Sequence, residues 1–422
     1  MNKASSKGAH VRELFPNTAC MSGDGMQSFD AAHTADLIAD DGRYATTRSI
    51  TFDRRSHAPQ QAIDFVRRSY LGLDRHPLVV AGAIDAIEAQ KSSHGSSDRP
   101  HLRLDLLEQL EDTLSQTFCA HAILSSSLLL ANLGAIRILA SGRLTGGRRP
   151  VVVFDCLAHG SLLCYRPIVA GEARVETIVH NDLDALERLC RENPSVAYVC
   201  DDIYSQGGYS RLAELHRLQE RYGLFLHIND AHGISIFGRK GEGLARSQFP
   251  QVLGHRTSIA ASLSEGFGAH GGLLMVGTSE HEAFFRRFLT IDGLSECPNL
   301  AAVGAALGSC KIHVSAELSE RQQRLAQRID LFDRRLDTAE RGKLLPIRTI
   351  TIGEKENAIG IARRLHDSGF YTSETFLPRL ENGTGGIRVV ITSEHDASDI
   401  ERLCDSILEA VGEITGKPYP LR

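Results

Sequence analysis

A short apolar run followed at once by polar residues is the feature that most constrains this fold. Residues 224–228 read LFLHI, and the polar segment NDAH follows at 229–232. A second run, TSIAA at 257–261, leads into a glycine-rich stretch at 262–272. In an open α/β sheet, polar side chains that bind ligands collect where the strands end. Both runs therefore predict strands of such a sheet, with a ligand site at their carboxyl ends.

The rest of the chain alternates between strand-like and helix-like segments. Apolar runs at 122–126, 151–154 and 197–200 are separated by stretches with helical spacing, at intervals of roughly 20 to 30 residues. This alternation predicts an α/β fold with a mostly parallel sheet that helices cover on both faces. An Ala- and Leu-rich helix is expected over 299–314, and a charged helix over 320–341.

Length and composition narrow the function classes. The chain has 422 residues, 42% of them hydrophobic and 23% charged, which predicts two or three folded domains. A formal net charge of -5 gives no general attraction to nucleic acid or to an anionic membrane. The sequence has no run of about 18 apolar residues and no apolar signal core at the start, so a cytoplasmic protein is expected. Nine scattered cysteines without paired spacing predict reduced thiols and no metal site.

The motifs at the two strand ends resemble the signatures of the α-oxoamine synthases. These fold-type I pyridoxal-phosphate (PLP) enzymes condense an amino acid with an acyl thioester and lose carbon dioxide, and their signatures read roughly V-D-E-A-H and T-x-S-K-A-x-G-x-x-G-G. The corresponding stretches here are INDAHG and ASLSEGFGAHGG, and SYLGL at 69–73 with HP at 76–77 resembles the family's opening. The resemblance extends over about residues 64 to 410.

The resemblance implies a fold and a division into domains. It predicts a fold-type I PLP-transferase-like α/β protein, with a mostly parallel seven-stranded-type sheet and a smaller C-terminal α/β domain. We place an N-terminal arm at 1–63, the large domain at 64–300 and the small domain at 301–422. Family members form dimers with clefts at the subunit boundary, so a dimer is expected.

Two residues depart from the family pattern at positions that bind the cofactor in the family. Asn229 stands where the family has the aspartate that pairs with the pyridine nitrogen, and Glu265 stands where it has the Schiff-base lysine. A carboxylate cannot form the imine that a lysine amine forms, and a neutral amide does not hold the ring nitrogen protonated. From the sequence we therefore expect no covalently bound cofactor, and weak or absent PLP binding.

The resemblance, together with the chemistry of the residue types, assigns roles to the candidate residues. His159 corresponds to the histidine that stacks on the cofactor ring, and His232 to the one near its phenolic oxygen. Arg388 and His270 are candidates for substrate binding, and Glu265, His232 and His159 for acid/base catalysis. The ancestral cofactor cleft comprises Ser127, Leu128, Leu129, Asn229, Asp230, Ser262 and Ser264.

Three functions are compatible with these residues. The first is a PLP-independent acyltransferase that acts on an acyl thioester of CoA or of an acyl carrier protein. The second is a non-catalytic subunit that supports a lysine-bearing paralogue in a heterodimer, rather than forming a homodimer. The third is an enzyme that holds PLP or its amine form without a covalent bond. The sequence favours the first by a small margin, because the strand-end polar groups and the glycine-rich stretch occur together.

Overall fold

The computed structural model describes residues 41–44, 49–53, 60–92, 105–204, 208–249, 252–288, 298–375 and 384–419. Most of the predicted N-terminal arm, residues 1–63, lies outside this part of the chain, as do Cys20 and Cys297. The candidate site residues all lie within the described part of the chain.

The strands are numbered along the described chain. They are β1 (Asp41–Tyr44), β2 (Ser49–Asp53), β3 (Gln60–Asp64), β4 (His121–Ser125), β5 (Val151–Asp155), β6 (Val175–Ile178), β7 (Val196–Asp201), β8 (Ile203–Tyr204), β9 (Gly208–Tyr209), β10 (Phe225–Asn229), β11 (Thr257–Ser262), β12 (Gly272–Val276), β13 (Ile347–Glu354), β14 (Phe370–Tyr371), β15 (Ser373–Thr375) and β16 (Thr384–Val390).

The helices are numbered in the same way. They are α1 (Pro77–Gln90), α2 (Asp105–Phe118), α3 (Leu128–Ala140), α4 (Gly160–Leu163), α5 (Arg166–Ala170), α6 (Leu183–Glu192), α7 (Leu212–Tyr222), α8 (Leu244–Ser247), α9 (Ser279–Phe288), α10 (Leu300–His313), α11 (Ala316–Arg335), α12 (Lys355–Asp367) and α13 (Ala397–Thr415).

A seven-stranded sheet forms the centre of the fold, in the order β4-β12-β11-β10-β7-β5-β6. Strand β12 is antiparallel to both of its neighbours, and the other pairings described for this sheet are parallel. The carboxyl ends of β4, β5, β7, β10 and β11 therefore lie along one edge. This arrangement confirms the predicted α/β fold with its mostly parallel seven-stranded sheet.

Both faces of this sheet are buried, which explains why its strands read as continuous apolar runs rather than alternating ones. Alternate residues of each strand enter separate apolar clusters: on β5, Val151 and Val153 join the cluster that contains α2, whereas Val152 and Phe154 pack with α4 and α5 on the other face. Helix α3 covers part of that second face, next to Phe225 and Leu274.

The chain divides into two compact units. The larger comprises residues 65–348 and 389–405, and the smaller comprises residues up to 64, 349–388 and 406–419. This division differs from the predicted boundary at residue 300, because α10 belongs to the larger unit. Val303, Ala306 and Cys310 of that helix enter the main core, and Gly304 lies directly against the backbone of Gly82 on α1.

The sequence-derived expectations about membrane-spanning segments and about thiols can be compared with the described residues. No helix among them is both long and apolar enough to cross a membrane. The seven cysteines in this part are free, and four of them are buried. Cys119 and Cys164 are exposed, so not all of the thiols are core residues as expected.

Candidate active site

The polar residues at the end of β7 and β10 form a buried pair. Asn229 lies opposite Asp201 in the parallel register of the two strands, and the Asn229 amide Nδ2 donates a hydrogen bond to the Asp201 carboxyl. The backbone N–H of His159 donates to the second Asp201 oxygen at 2.6 Å. Burial raises the pKa of Asp201 to about 7, although both hydrogen bonds act in the opposite direction. The sequence analysis included Asn229 and His159 but missed Asp201.

A chain of hydrogen bonds behind this pair fixes the orientation of the Asn229 amide. Asn132 Nδ2 donates to Asn229 Oδ1 at 3.4 Å, and Asn132 Oδ1 lies 3.1 Å from His227 Nε2. His227 Nδ1 lies 2.9 Å from the Ser258 hydroxyl. Burial lowers the pKa of His227 to about 3, so the ring is neutral and its Nε2–H donates to Asn132. In this series of hydrogen bonds each donor therefore lies on the side away from Asp201, and the Asp201 carboxyl is the final acceptor.

His159 occupies the turn between β5 and α4, next to the buried pair. Its Nδ1 accepts a hydrogen bond from the backbone N–H of Ser161 at 3.2 Å, which caps α4. The Ser161 hydroxyl lies 2.9 Å from the same nitrogen and 3.2 Å from Asn132 Nδ2. Because Nδ1 accepts, the neutral ring carries its proton on Nε2. The structure thus joins His159 to Asn229 through both Asp201 and Asn132.

His232 follows β10 by three residues and is buried. Its Nδ1 lies 2.8 Å from the hydroxyl of Tyr70, which is also buried. Tyr70 belongs to the SYLGL segment, and its hydroxyl was not recognised as a site group from the sequence. A histidine held by a buried phenol has a fixed ring orientation, which a proton-transfer group requires.

Glu265 lies on the loop after β11 and is only partly exposed. Its Oε2 is buried and has no hydrogen-bond partner within the described residues. Burial raises the pKa of this carboxyl, while a hydrogen bond from Ser262 and the charges of Arg68 and His270 act in the opposite direction. On the same loop, the exposed Ser264 hydroxyl lies 3.4 Å from His270 Nδ1. The four predicted residues of this loop therefore form one local group.

The N-terminus of α3 follows β4 at the same edge of the sheet. The Ser127 hydroxyl accepts a hydrogen bond from the backbone N–H of Leu130 at 3.3 Å and caps the helix. Leu128 is partly buried, and the side chain of Leu129 is 46% exposed. Free N–H groups at the start of a helix favour an anion, which suits a phosphate.

Two further predicted site residues are Asp230 and Arg388. Asp230 is fully buried, pairs with Asp202 and accepts a hydrogen bond from the backbone N–H of Ala245 at 3.1 Å. The Asp230 carboxyl thus contacts Asp202 and Ala245, whereas the Asn229 amide bonds to Asp201. Arg388 lies on β16, opposite Ser373, in the smaller unit. Its role in binding a substrate stays a prediction.

The Asp202–Asp230 pair leads to a pH-dependent stability. Burial raises the pKa of Asp202 to about 7, and burial together with the Asp202 charge raises the pKa of Asp230 well above its usual range. Because the folded state holds these protons more tightly than the unfolded state, the stabilisation present below about pH 4 is lost as the pH rises through about 7. We expect Asp202→Asn to gain stability relative to the natural protein between pH 5 and pH 8.

Urea unfolding at both pH values measures this difference. The exposed Asp112→Asn variant serves as the control and should keep a constant difference from the natural protein. An equal difference at both pH values for Asp202→Asn would show that the carboxyl pair does not retain an extra proton.

Comparison with known proteins places these residues in a family. The model of the family described as aminotransferase class I and II matches residues 166–407. The chain therefore belongs to that family. An 8-amino-7-oxononanoate synthase from Geobacter sulfurreducens is 29% identical over 376 residues, which cover 86% of this chain and 93% of the relative. Together with the structural neighbours, these matches confirm the resemblance to the α-oxoamine synthases.

Two solved structures share the fold of the present chain. One is a serine palmitoyltransferase with a PLP internal aldimine, at a TM-score of 0.80 and 21% identity, covering 94% of this chain and 98% of that chain. The other is a lysine-to-alanine variant of serine palmitoyltransferase from S. paucimobilis with a bound PLP–myriocin aldimine. Its TM-score is 0.79 at 21% identity, and the covered shares are also 94% and 98%.

These findings correct the cofactor prediction. The sequence led us to expect no covalently bound cofactor and weak or absent PLP binding, but both structural neighbours contain PLP. One of them contains it in a lysine-to-alanine variant, so the loss of a lysine was too weak an argument against the cofactor.

The side chains of this cleft suit PLP at most positions. A helix N-terminus, an oriented amide beside a carboxyl, and two histidines with fixed rings surround the edge where β4, β5, β7 and β10 end. Position 265 differs, because a carboxyl stands there instead of an amine.

Proposed function

We propose that this chain is an α-oxoamine synthase-type transferase that takes an acyl thioester of CoA or of an acyl carrier protein. We further propose that it holds PLP without a covalent bond to residue 265. The observation that carries the proposal is the Glu265 carboxyl, whose buried Oε2 has no hydrogen-bond partner in the described part of the chain. Glu265 lies on the loop after β11, and the neighbouring strands end in polar groups that suit this cofactor at most positions.

Each group of the cleft has a role in holding the reactants. The N-terminus of α3, capped by Ser127, supplies N–H donors for a phosphate. His159 supplies a flat ring whose position is fixed by Ser161, and Asn229 supplies an amide oxygen. PLP, when bound, supplies a ring that withdraws electrons from the carbon next to the substrate amine.

Glu265 is assigned the proton transfer that needs a base near that carbon. A raised carboxyl pKa makes it a better base than an ordinary glutamate, and a mobile proton is what the reaction requires. His232, fixed by Tyr70, is the second group that can hold or release a proton. The chain thus offers one acid/base group on each of the loops that follow β10 and β11.

A second candidate function is that of a supporting subunit. Three apolar side chains on one side of α1, Val80, Ile84 and Ile87, are 45%, 50% and 40% exposed. Such a row, spaced four and three residues apart, favours contact with another chain. With a lysine-bearing paralogue as that chain, Glu265 would have no catalytic role. The same row is equally compatible with a homodimer.

PLP titration and thioester assays on the purified chain test the proposed function. We expect PLP to bind reversibly, to leave on dialysis, and to leave no borohydride label on residue 265. With an acyl-CoA and amino acids present, the chain should release free CoA, and Glu265→Gln should lower that rate by roughly 100-fold or more while PLP still binds.

The exposed Glu280→Gln variant is the matched control and should keep the full rate. Stoichiometric labelling of a lysine by borohydride would contradict non-covalent binding. A chain that consumes no thioester alone, but co-purifies from its host with a lysine-bearing paralogue, would establish the supporting subunit instead.

A further inference from the structure

The Asp201 carboxyl is a buried acidic group without a cationic partner of its own. It is 3% exposed, and its side-chain hydrogen bonds come from the Asn229 amide and the His159 backbone N–H. Within the described residues, no Lys, Arg or His side chain bonds to it. The buried Asp155, by contrast, pairs with His180 at 3.1 Å. A carboxylate taken out of water normally has a compensating charge.

The Asn229 amide connects this carboxyl to the cleft. The amide nitrogen donates to Asp201, and among the described residues the amide oxygen accepts only the long 3.4 Å bond from Asn132. An amide oxygen has two lone pairs, so Asn229 Oδ1 can accept a second hydrogen bond. When a carboxylate accepts from the amide N–H, it polarises the amide and increases the negative charge on that oxygen.

We propose that Asp201 is a positioning residue that acts through Asn229 to hold a protonated ring nitrogen of the bound cofactor. The inference rests on the proposed function, in which PLP occupies this cleft and its pyridine nitrogen is the cationic group. Asn229 Oδ1 would accept a hydrogen bond from the ring N–H, while Asn229 Nδ2–H donates to the Asp201 carboxylate. Asp201, on the adjacent strand β7, would then supply the negative charge that Asn229 lacks. The proton stays on the ring nitrogen throughout.

The surrounding hydrogen bonds support this direction of polarisation. The neutral His227 donates to Asn132, and Asn132 in turn donates to Asn229, so the amide cannot flip without losing two bonds. The amide oxygen is thereby kept as an acceptor for a donor in the cleft. Burial, opposed in part by its two hydrogen bonds, raises the pKa of Asp201 to about 7, and a cation beyond the amide favours its charged form.

The binding of two ligands distinguishes a positioning role of Asp201 from a purely structural one. The purified chain is titrated with PLP and with a PLP analogue whose ring nitrogen is replaced by carbon, with fluorescence as the readout. Asp201→Asn should weaken PLP binding by roughly 10- to 100-fold and leave the affinity for the carbon analogue unchanged. Asp202→Asn, one residue further along and bonded to Asn229 only through its backbone N–H, should leave both affinities nearly unchanged, because the substitution keeps that backbone bond.

Exchanging the two side chains provides the second variant. Asp201→Asn combined with Asn229→Asp keeps one carboxyl and one amide in the pair, so PLP affinity should return while the carbon analogue again shows no change. Equal weakening of both ligands by Asp201→Asn would overturn the proposal, as would failure of the folded double variant to recover. If the natural protein binds neither ligand, the proposed function fails first, and that result is distinct from the other two.

Discussion

Glu265→Lys should convert reversible PLP binding into covalent attachment. The new amine stands where Glu265 Oε2 is buried, and an amine bonds to the cofactor's aldehyde whereas a carboxylate cannot. Arg68 and His270, which favour the glutamate anion at this position, will disfavour a lysine cation and leave more of the amine neutral and nucleophilic. We expect a yellow protein that keeps its colour on dialysis and carries one label per chain at residue 265 after borohydride reduction.

Exposed Glu280→Lys is the matched control and should gain no stable label at residue 280. This experiment tests whether the loop after β11 places residue 265 within reach of the cofactor. A folded Glu265→Lys protein that binds PLP but remains unlabelled at residue 265 would show that this side chain does not reach the cofactor.

The structure changes the effect on PLP binding that we expect from adding Asn229→Asp to Glu265→Lys. From the motifs alone, both departures need reversal, with Asn229→Asp beside Glu265→Lys. In the structure, however, Asn229 faces Asp201, so a carboxyl at position 229 would oppose a second buried carboxyl. We therefore expect Glu265→Lys with Asn229→Asp to bind PLP no better than Glu265→Lys alone.

The elements of the large sheet could be predicted from the sequence because their residues are buried on both faces. Runs of β-branched and small apolar residues at 151–154 and 257–261 became β5 and β11. Local sequence was sufficient in each case. The charged helix expected at 320–341 occurs as α11, but it starts four residues earlier and belongs to the larger unit.

The most informative contact of the site could not be predicted in this way. Asp201 and Asn229 are 28 residues apart, and their contact depends on β7 and β10 being neighbours in a particular register. A slip of one residue would place Asp202 opposite Asn229 instead. The sequence shows that polar residues follow both strands, but it cannot show which pair shares a face. The same limit explains why Asp230 was included among the cleft residues and Tyr70 was not.

Asp333→Ala should cause the largest loss of stability. Arg348 is fully buried, and both of its terminal nitrogens and Nε are bonded, two of them to Asp333 at 2.6 and 2.8 Å. Asp333 also accepts from the backbone N–H of Gly342 at 2.9 Å. Removing the carboxylate leaves a buried guanidinium without a counter-charge, which costs about 3–5 kcal/mol in free energy of unfolding.

A surface pair and a double variant distinguish the lost charge from the lost packing. Asp405 forms an ion pair with Arg335, but their side chains are 63% and 36% exposed, so Asp405→Ala should cost at most about 1 kcal/mol. Asp333→Leu combined with Arg348→Met removes both charges and keeps apolar volume, so it should recover much of the stability that Asp333→Ala loses. Urea unfolding followed by circular dichroism measures all three. If Asp333→Ala unfolds at the same urea concentration as Asp405→Ala, water or another anion must reach Arg348, and the pair that connects α11 to the start of β13 is less well shielded than its burial indicates.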